Sequence, residues 1–161
     1  MSNKEVSGYR FESLLVEDFL LAIDERSPWG EIKKANEFPH MSGRTDVVAY
    51  SPKIGLLTFE AKLTKWRDAL QQAYRNTVFS NMSYVVLPRH SARQALQFEN
   101  EFVMRNVGLC IVNNGVLEII ISPKKIKEPL NTWLYNKAIV FIKGALSEGT
   151  ADRTCCQTGV S

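Results

Sequence analysis

Residues 43–74 read GRTDVVAYSPKIGLLTFEAKLTKWRDALQQAY, with two short apolar runs followed directly by a helical pattern. The first run carries Asp46, and the second ends in FEAK, which contains Glu60 and Lys62. Because successive side chains of a strand point to opposite faces, we expect Glu60 and Lys62 to face the same way. The stretch therefore predicts two carboxylates and one ammonium in a single patch at the end of a sheet.

The two apolar runs are spaced as a β-hairpin. Residues 44–50 and 55–63 can pair through the Ser-Pro-Lys-Ile turn between them, which places Asp46 beside Glu60. Neighbouring carboxylates repel each other and favour a hard divalent cation, and Mg²⁺ is typically held by one or two carboxylates with water and substrate phosphate. Such a cation polarises a phosphoryl oxygen, and a nearby ammonium can offset the charge that develops there. The patch therefore suits phosphodiester hydrolysis, although Glu-x-Lys at a strand end is also common as a solvated ion pair.

This Asp-(x)n-Glu-x-Lys pattern, on a hairpin that leads into a helix, resembles the motif of the PD-(D/E)XK nuclease superfamily of restriction-endonuclease-like proteins. Thr45 stands where the motif has its proline, a position that varies widely in that superfamily. The resemblance implies a nuclease that hydrolyses DNA with the help of Mg²⁺ or Mn²⁺. It implies that Asp46 and Glu60 are catalytic metal ligands. It further implies that the Ala61 carbonyl completes the protein ligands and that Lys62 positions the attacking water.

The resemblance also adds candidates outside the hairpin. In many members a glutamate of the first helix reaches the metal site, which makes Glu17 a candidate catalytic residue and Glu12 a weaker one. Acidic residues in the N-terminal half of a helix are equally explained by the helix dipole. One branch carries Gln-x-x-x-Tyr on the helix after the motif. Gln72 matches that glutamine, as a site residue or as a solvated helix residue, whereas Asn76 stands where the tyrosine would be.

Three arginines are candidate nucleic-acid contacts. Arg44 lies two residues before Asp46 and is a plausible phosphate contact, or an ion-pair partner of the carboxylates. Arg89 and Arg93, with His90, follow the C-terminal end of an apolar strand, a usual place for ligand contacts in open α/β sheets. Solvated loop charges are the alternative interpretation for each of them.

Around the motif, the sequence predicts an α/β domain with a mixed sheet and a restriction-endonuclease-like core of order α-β-β-β-α-β, followed by a helix, a hairpin and a helix. The last hairpin is predicted from the Asn-Gly sequence at its turn, and the third helix is predicted from a capping box that begins at Ser91. Thr64 is placed to cap the second helix, and His40 is expected in a loop over 39–43. Helices are predicted at 9–25, 65–79, 92–105 and 130–146, and strands at 31–38, 44–50, 55–63, 83–87, 109–112 and 116–121.

Composition bounds the remaining possibilities. The 161 residues predict one domain over 1–149 and a flexible tail over 150–161. The net charge of +3 permits a nucleic-acid partner but does not argue for one. No stretch approaches the apolar length that crosses a bilayer, and the N-terminus has no apolar signal core, so no membrane association is expected. The few cysteines show no disulfide framework or zinc spacing, which favours a cytoplasmic protein with Cys110 as a buried thiol.

A second function class stays open from the sequence. The same fold can serve as a catalytically inactive domain that binds nucleic acid or a protein partner, or as an accessory protein without any nucleic-acid contact. The sequence does not separate DNA from RNA, and it leaves open a homodimer through Trp133, Tyr135 or the last hairpin.

Overall fold

The two apolar runs of residues 43–74 form adjacent strands of a six-stranded sheet. In the computed structural model, residues 8–155 are described, with side chains over residues 8–148. The chain is a mixed α/β domain whose elements run in the order α1 (Glu12–Glu25), β1 (Lys33–His40), β2 (Gly43–Ser51), β3 (Gly55–Ala61), α2 (Trp66–Asn76), β4 (Met82–Pro88), α3 (Arg89–Leu96), α4 (Glu99–Arg105), β5 (Gly108–Asn113), β6 (Val116–Ile121) and α5 (Thr132–Cys155). The predicted order α-β-β-β-α-β of the first six elements is confirmed.

The sheet has the strand order β1-β2-β3-β4-β5-β6. The first three strands are antiparallel neighbours, β3, β4 and β5 are parallel, and β6 returns antiparallel beside β5. The hairpin register pairs Val47 with Phe59, so the first residues beyond the pairing are Asp46 and Glu60. The α2 crossover carries the chain from the end of β3 to the start of β4, and it therefore lies beside this end of the hairpin.

Alternation along the central strands divides the core between two faces of the sheet. Val47 and Phe59 pack with α1, and Phe19 and Trp29 contact the Phe59 ring at centroid distances of 4.8 and 5.1 Å. The neighbouring Val48 faces the other side, where α5 covers the β1–β2 end of the sheet. Helices α2 and α3 cover the rest of that side, against β4 and β5. Cys110 is fully buried, as predicted.

One glycine is required where the hairpin begins its return strand. Gly55 has φ +101°, and a Cβ atom there would lie 2.2 Å from Oδ1 of Asn81. The same Asn81 oxygen accepts a hydrogen bond of 2.7 Å from the Leu56 N–H, and its amide group donates to the Ile126 carbonyl at 2.7 Å. The close approach ties the start of β3 to the segment that leads into α5.

The predicted loop at 39–43 is wrong. β1 continues to His40 and β2 begins at Gly43, so only Met41 and Ser42 form the turn. Pro39 is tolerated within a strand because β1 is the edge of the sheet, where a missing N–H costs no ladder hydrogen bond. His40 therefore lies on a strand beside the hairpin end rather than in a loop.

Two predicted helix caps are also wrong. No side-chain hydrogen bond caps α2, and Thr64 contributes its backbone carbonyl to the Trp66 N–H instead of its hydroxyl. Ser91 is buried inside α3, where its hydroxyl donates to the Leu63 carbonyl. The single helix expected over 92–105 is two helices, because the chain breaks at Phe98, whose ring stacks on Trp66 with centroids 5.5 Å apart.

The last helix begins later and continues further than the predicted 130–146. Asn131 precedes it, and its Oδ1 accepts a hydrogen bond from the Leu134 N–H, which favours a start at Thr132. The helix extends to Cys155. Residues 156–161 of the predicted tail lie outside the described residues, and the flexibility of the tail stays a prediction.

Candidate active site

Asp46 and Glu60 come together at the open end of the β2–β3 hairpin. The Ala61 N–H donates to Oδ2 of Asp46 at 2.8 Å, which fixes the Asp46 carboxylate beside the end of β3. The N–H and C=O groups of a strand residue point to the same side, so the Ala61 carbonyl is directed toward Asp46 as well. The side chain of Glu60 is almost fully buried, with 2% of the residue exposed. The predicted juxtaposition of the two carboxylates is therefore present in the structure.

The pair is electrostatically strained. Burial raises the pKa of Glu60 to about 8, and the neighbouring charge of Asp46 adds to that rise. The Asn76 amide and the Lys62 ammonium oppose it by favouring the ionised form of Glu60. Burial likewise raises the pKa of Asp46, and the hydrogen bond from Ala61 is the largest opposing effect. When both groups are ionised, they carry two negative charges, and the Lys62 ammonium offsets one of them.

The residues present fit a hard divalent cation at this position. Two carboxylates and one backbone carbonyl are oxygen donors of the kind that Mg²⁺ binds, with water in the remaining positions. Over residues 8–148, no group of three or more histidine, cysteine, aspartate or glutamate side chains could hold a metal ion. The donor set is thus one that leaves several positions for water and a substrate phosphate, and not the nitrogen- and sulfur-rich set that transition metals favour.

Lys62 lies past the end of β3 and reaches the first helix. Its Nζ is 3.4 Å from Oε1 of Glu12, and its positive charge lowers the pKa of both Asp46 and Glu60. Lys62 therefore acts electrostatically on both carboxylates. Glu12 and Glu17 are both exposed on α1, and the one that contacts Lys62 is Glu12.

Asn76, the last residue of α2, holds the Glu60 carboxylate from the helix side. Its Nδ2 donates to Oε1 of Glu60 at 2.8 Å. Its backbone carbonyl accepts from the Ser80 hydroxyl at 2.8 Å, and that hydroxyl in turn accepts from Thr58 at 3.1 Å. The helix end is therefore tied to β3, and the Asn76 amide has a fixed distance to the strand that carries Glu60.

The Thr45 side chain lies on the side of the sheet that α2 covers, although strict alternation along β2 would place it with Val47 on the opposite side. Its hydroxyl donates to Oδ1 of Asn76 at 3.2 Å, so Thr45 faces the side of the sheet that Val48 also faces. Positions 45 and 48 can share a face only where the alternation along β2 is interrupted. The opposing segment of β1 has a matching irregularity at Glu37, which has φ +57° and falls outside the ladder pairs.

A cavity of about 60 Å³ opens beside Glu60. Its lining includes Gln72 from α2, and the Gln72 Oε1 atom is buried without a hydrogen-bond partner. Arg44 and Arg75 lie on the rim, and Arg44 also pairs with Glu37 at 3.5 Å in an exposed position. The structure thus brings Gln72 and Arg44 next to Glu60, as the sequence suggested. Arg89 and Arg93 are exposed on α3, the helix tied to Leu63 through Ser91.

The sequence does not predict three participants of the site. Thr45 is marked only by standing at the proline position of the motif, Asn76 only by standing at a tyrosine position, and His40 only by its place in a predicted loop. The sequence His-Met-Ser-Gly-Thr is compatible with a tight turn between two antiparallel strands. In the structure this turn pairs His40 with Gly43 and so brings His40 and Thr45 close together. The ring of His40 lies 3.0 Å from the Thr45 hydroxyl and thus belongs to the site.

No family model and no curated protein matches the chain. Among solved structures, the chain is similar to the SPO1766 protein of unknown function from Silicibacter pomeroyi, with a TM-score of 0.58 and 20% identity, over 88% of this chain and 92% of that one. It is also similar to SfsA of Pyrococcus furiosus in complex with Ca²⁺, with a TM-score of 0.43 and 9% identity, over 70% and 64% of the two chains. The first similarity shows the fold alone, and no argument rests on the second.

Within residues 8–155, no helix is long and apolar enough to span a membrane.

Proposed function

We propose that the protein is a metal-dependent nuclease that hydrolyses phosphodiester bonds, with DNA as its substrate and Mg²⁺ or Mn²⁺ as its cofactor. The observation that carries the proposal is the buried Asp46–Glu60 pair, whose pKa values are raised and whose one nearby ammonium belongs to Lys62. When both carboxyl groups are ionised, as cation binding requires, the Lys62 ammonium offsets only one of the two negative charges. Perturbed carboxyl groups of this kind are typical of functional sites.

Each residue has a defined part in the proposal. Asp46, Glu60 and the Ala61 carbonyl hold the cation. When bound, the cation polarises the phosphoryl oxygen and lowers the pKa of the attacking water. Lys62 orients that water and offsets the negative charge that develops on the phosphoryl group. Glu12 keeps the Lys62 ammonium at the site through the 3.4 Å ion pair, and Asn76 keeps the Glu60 carboxylate oriented.

The rim of the cavity supplies cations for the neighbouring phosphates. Arg44 and Arg75 project from opposite sides, one from the hairpin and one from α2, and Gln72 offers an unpaired acceptor between them. Arg89 and Arg93 present two further exposed charges on α3. Contacts to phosphate position a nucleic acid without reading its sequence, so we expect weak sequence preference.

The test is a cleavage time course on supercoiled, linear and single-stranded DNA and on RNA, with Mg²⁺, Mn²⁺ or EDTA. We expect metal-dependent cleavage by the wild type, and no detectable cleavage by Glu60→Ala or Lys62→Ala. Glu118→Ala is the matched control, because Glu118 is an exposed carboxylate on β6, away from the hairpin end. Full activity of Glu60→Ala would overturn the assignment.

The second candidate is a domain that binds nucleic acid without cleaving it. The observation that favours it is the near-complete burial of Glu60, which already has a hydrogen-bond partner in Asn76. A folded wild type that cleaves none of the substrates with either metal, yet retains DNA on a filter, would select this candidate. Its retention should weaken steeply as salt rises, because phosphate contacts release counterions.

A further inference from the structure

A chain of four hydrogen bonds leads from the β1–β2 turn to the Glu60 carboxylate. The Ser42 N–H lies 3.3 Å from Nδ1 of His40, and Nε2 of His40 lies 3.0 Å from the Thr45 hydroxyl. The Thr45 hydroxyl donates to Oδ1 of Asn76 at 3.2 Å, and Nδ2 of Asn76 donates to Oε1 of Glu60 at 2.8 Å. The chain thus joins three separate elements, β1, β2 and the end of α2, to the carboxylate on β3.

The bond directions follow from the orientation of the Asn76 amide. Asn76 presents its NH₂ group to Glu60 and its Oδ1 to Thr45, which is the orientation that an ionised, metal-holding Glu60 requires, since an ionised carboxylate can only accept. Thr45 has a single proton, which it gives to Asn76, so it can only accept from His40. Nε2 of His40 must therefore carry a proton, and Nδ1 is the acceptor for the Ser42 N–H. The chain selects one neutral tautomer of His40, with its proton on Nε2.

Packing holds the chain in this arrangement. Thr45, Asn76 and Glu60 are each at most 2% exposed, so water does not compete for their hydrogen bonds. The His40 ring lies against Phe38 and Phe79, with centroids 5.8 and 5.6 Å away. Ring contacts therefore hold His40 at one end of the hydrogen-bond chain, and burial holds the Glu60 carboxylate at the other end.

We propose that His40 is a positioning residue for Glu60: acting through Thr45, it keeps the Asn76 amide turned with its NH₂ group toward the carboxylate and so presents Glu60 to the divalent cation. The proposal rests on the proposed function, in which Glu60 is a metal ligand. Without the Thr45 hydroxyl, Oδ1 of Asn76 loses its donor, and the Glu60 carboxylate alone is left to orient the amide. Groups that orient metal ligands from outside the coordination shell typically change metal affinity 10- to 100-fold.

Two variants at one position separate the hydrogen bond from packing. Thr45→Val keeps the shape of the side chain and removes the hydroxyl, whereas Thr45→Ser keeps the hydroxyl. Mn²⁺ alone is titrated into each folded protein by calorimetry, and free Mn²⁺ is followed by electron paramagnetic resonance. We expect Mn²⁺ affinity to fall about tenfold or more in Thr45→Val and to stay within about threefold of wild type in Thr45→Ser.

A double-mutant cycle tests whether His40 acts through Thr45. His40→Ala alone should weaken Mn²⁺ binding as Thr45→Val does, and the double variant should lose little more, since residues of one chain couple. Additive losses, or unchanged Mn²⁺ affinity in Thr45→Val, would overturn the proposal. The ¹⁵N shifts of the His40 ring give a readout that needs no metal: we expect the proton on Nε2 in the wild type and a mixture of tautomers in Thr45→Val. A wild type with its proton on Nδ1 would also overturn it.

Failure of the inference is distinguishable from failure of the proposed function. If wild type and Glu60→Gln bind Mn²⁺ equally, Glu60 is not a metal ligand, and the proposed function falls together with the inference. If the wild type binds Mn²⁺ through Glu60 while Thr45→Val binds it with unchanged affinity, only the role of His40 and Thr45 falls.

Discussion

The raised pKa of Glu60 predicts that a conservative change at the candidate site stabilises the protein in the absence of metal. Glu60→Gln keeps the size of the side chain and removes its charge. The amide oxygen can still accept from Asn76, and the new NH₂ group can donate toward Asp46, which replaces a repulsive contact with an attractive one. The substitution therefore keeps the packing around Glu60 while removing its titration.

The magnitude follows from proton linkage. The pKa of Glu60 rises from 4.5 to about 8 on folding, so the folded state holds this proton more tightly than the unfolded state. Its contribution to stability is fully present below pH 4.5 and is lost as pH rises through about 8. At 1.36 kcal/mol per pKa unit, the loss across this window is roughly 5 kcal/mol. A loss of this size is a large fraction of the stability of a typical domain, which is 5–15 kcal/mol.

Urea unfolding in EDTA at pH 5.0 and pH 8.5 measures the effect. We expect the free energy of unfolding of Glu60→Gln to exceed that of the wild type by several kcal/mol at pH 8.5 and by little at pH 5.0. The comparison between the two proteins cancels other titrations, such as that of His40, whose pKa burial lowers and which acts in the opposite direction below pH 6.5. Exposed Glu118→Gln is the control and should follow the wild type at both pH values.

Mg²⁺ should stabilise the wild type and not Glu60→Gln. A cation that binds only the folded wild type stabilises it by mass action, and at saturating Mg²⁺ the wild type should gain stability at pH 8.5 that Glu60→Gln does not gain. Equal stability of the two proteins at pH 8.5 in EDTA would refute the reasoning about burial and repulsion. A Glu60→Gln variant that is less stable than the wild type at that pH would refute it more strongly.

Two further predictions concern single contacts. Glu12→Gln should lower the cleavage rate more than Glu17→Gln, because the ion pair with Lys62 is formed by Glu12, and single-turnover kinetics at saturating Mg²⁺ rank the two variants. Gly55→Ala should destabilise the fold by about 2 kcal/mol or more, since its Cβ would meet Oδ1 of Asn81 at 2.2 Å and its φ is +101°. Thermal unfolding measures that loss, and an unchanged midpoint would contradict the close approach.

The hairpin and the carboxylate pair were predictable because both depend on short-range patterns. Apolar residues alternate or run together over a few positions, a Ser-Pro-Lys-Ile turn separates them, and the pairing that results leaves Asp46 and Glu60 just beyond Val47 and Phe59. The parallel pairing of β4 with β3 follows from an intervening helix for the same reason. The hairpin, the carboxylate pair and the parallel pairing can therefore be predicted without knowing which helices pack on the sheet.

The errors occur where tertiary contacts replace a local rule. Ser91 has the sequence of a helix cap, but its hydroxyl donates to the Leu63 carbonyl instead. The helix expected to continue through residue 98 breaks there, because Phe98 gains a stacking partner in Trp66. The catalytic roles of Glu12 and Glu17 stay predictions; which of the two contacts Lys62 depends on where the N-terminus of α1 lies relative to Lys62, and that residue is Glu12. Helical periodicity does not report that distance.

The two departures from the superfamily pattern are one interaction in the structure. Thr45 stands where the motif has proline, and Asn76 stands where one branch has tyrosine. The proline position varies widely in that superfamily, whereas Asn76 departs from the pattern of one branch. In the structure the Thr45 hydroxyl donates to Asn76, and Asn76 donates to Glu60, so each residue has a partner that only the other departure provides. A proline at position 45 would leave Oδ1 of Asn76 without its donor, and a tyrosine at 76 would remove both the amide that donates to Glu60 and the oxygen that accepts from Thr45. Thr45 and Asn76 therefore form one connected hydrogen-bond arrangement beside Glu60, and each depends on the other.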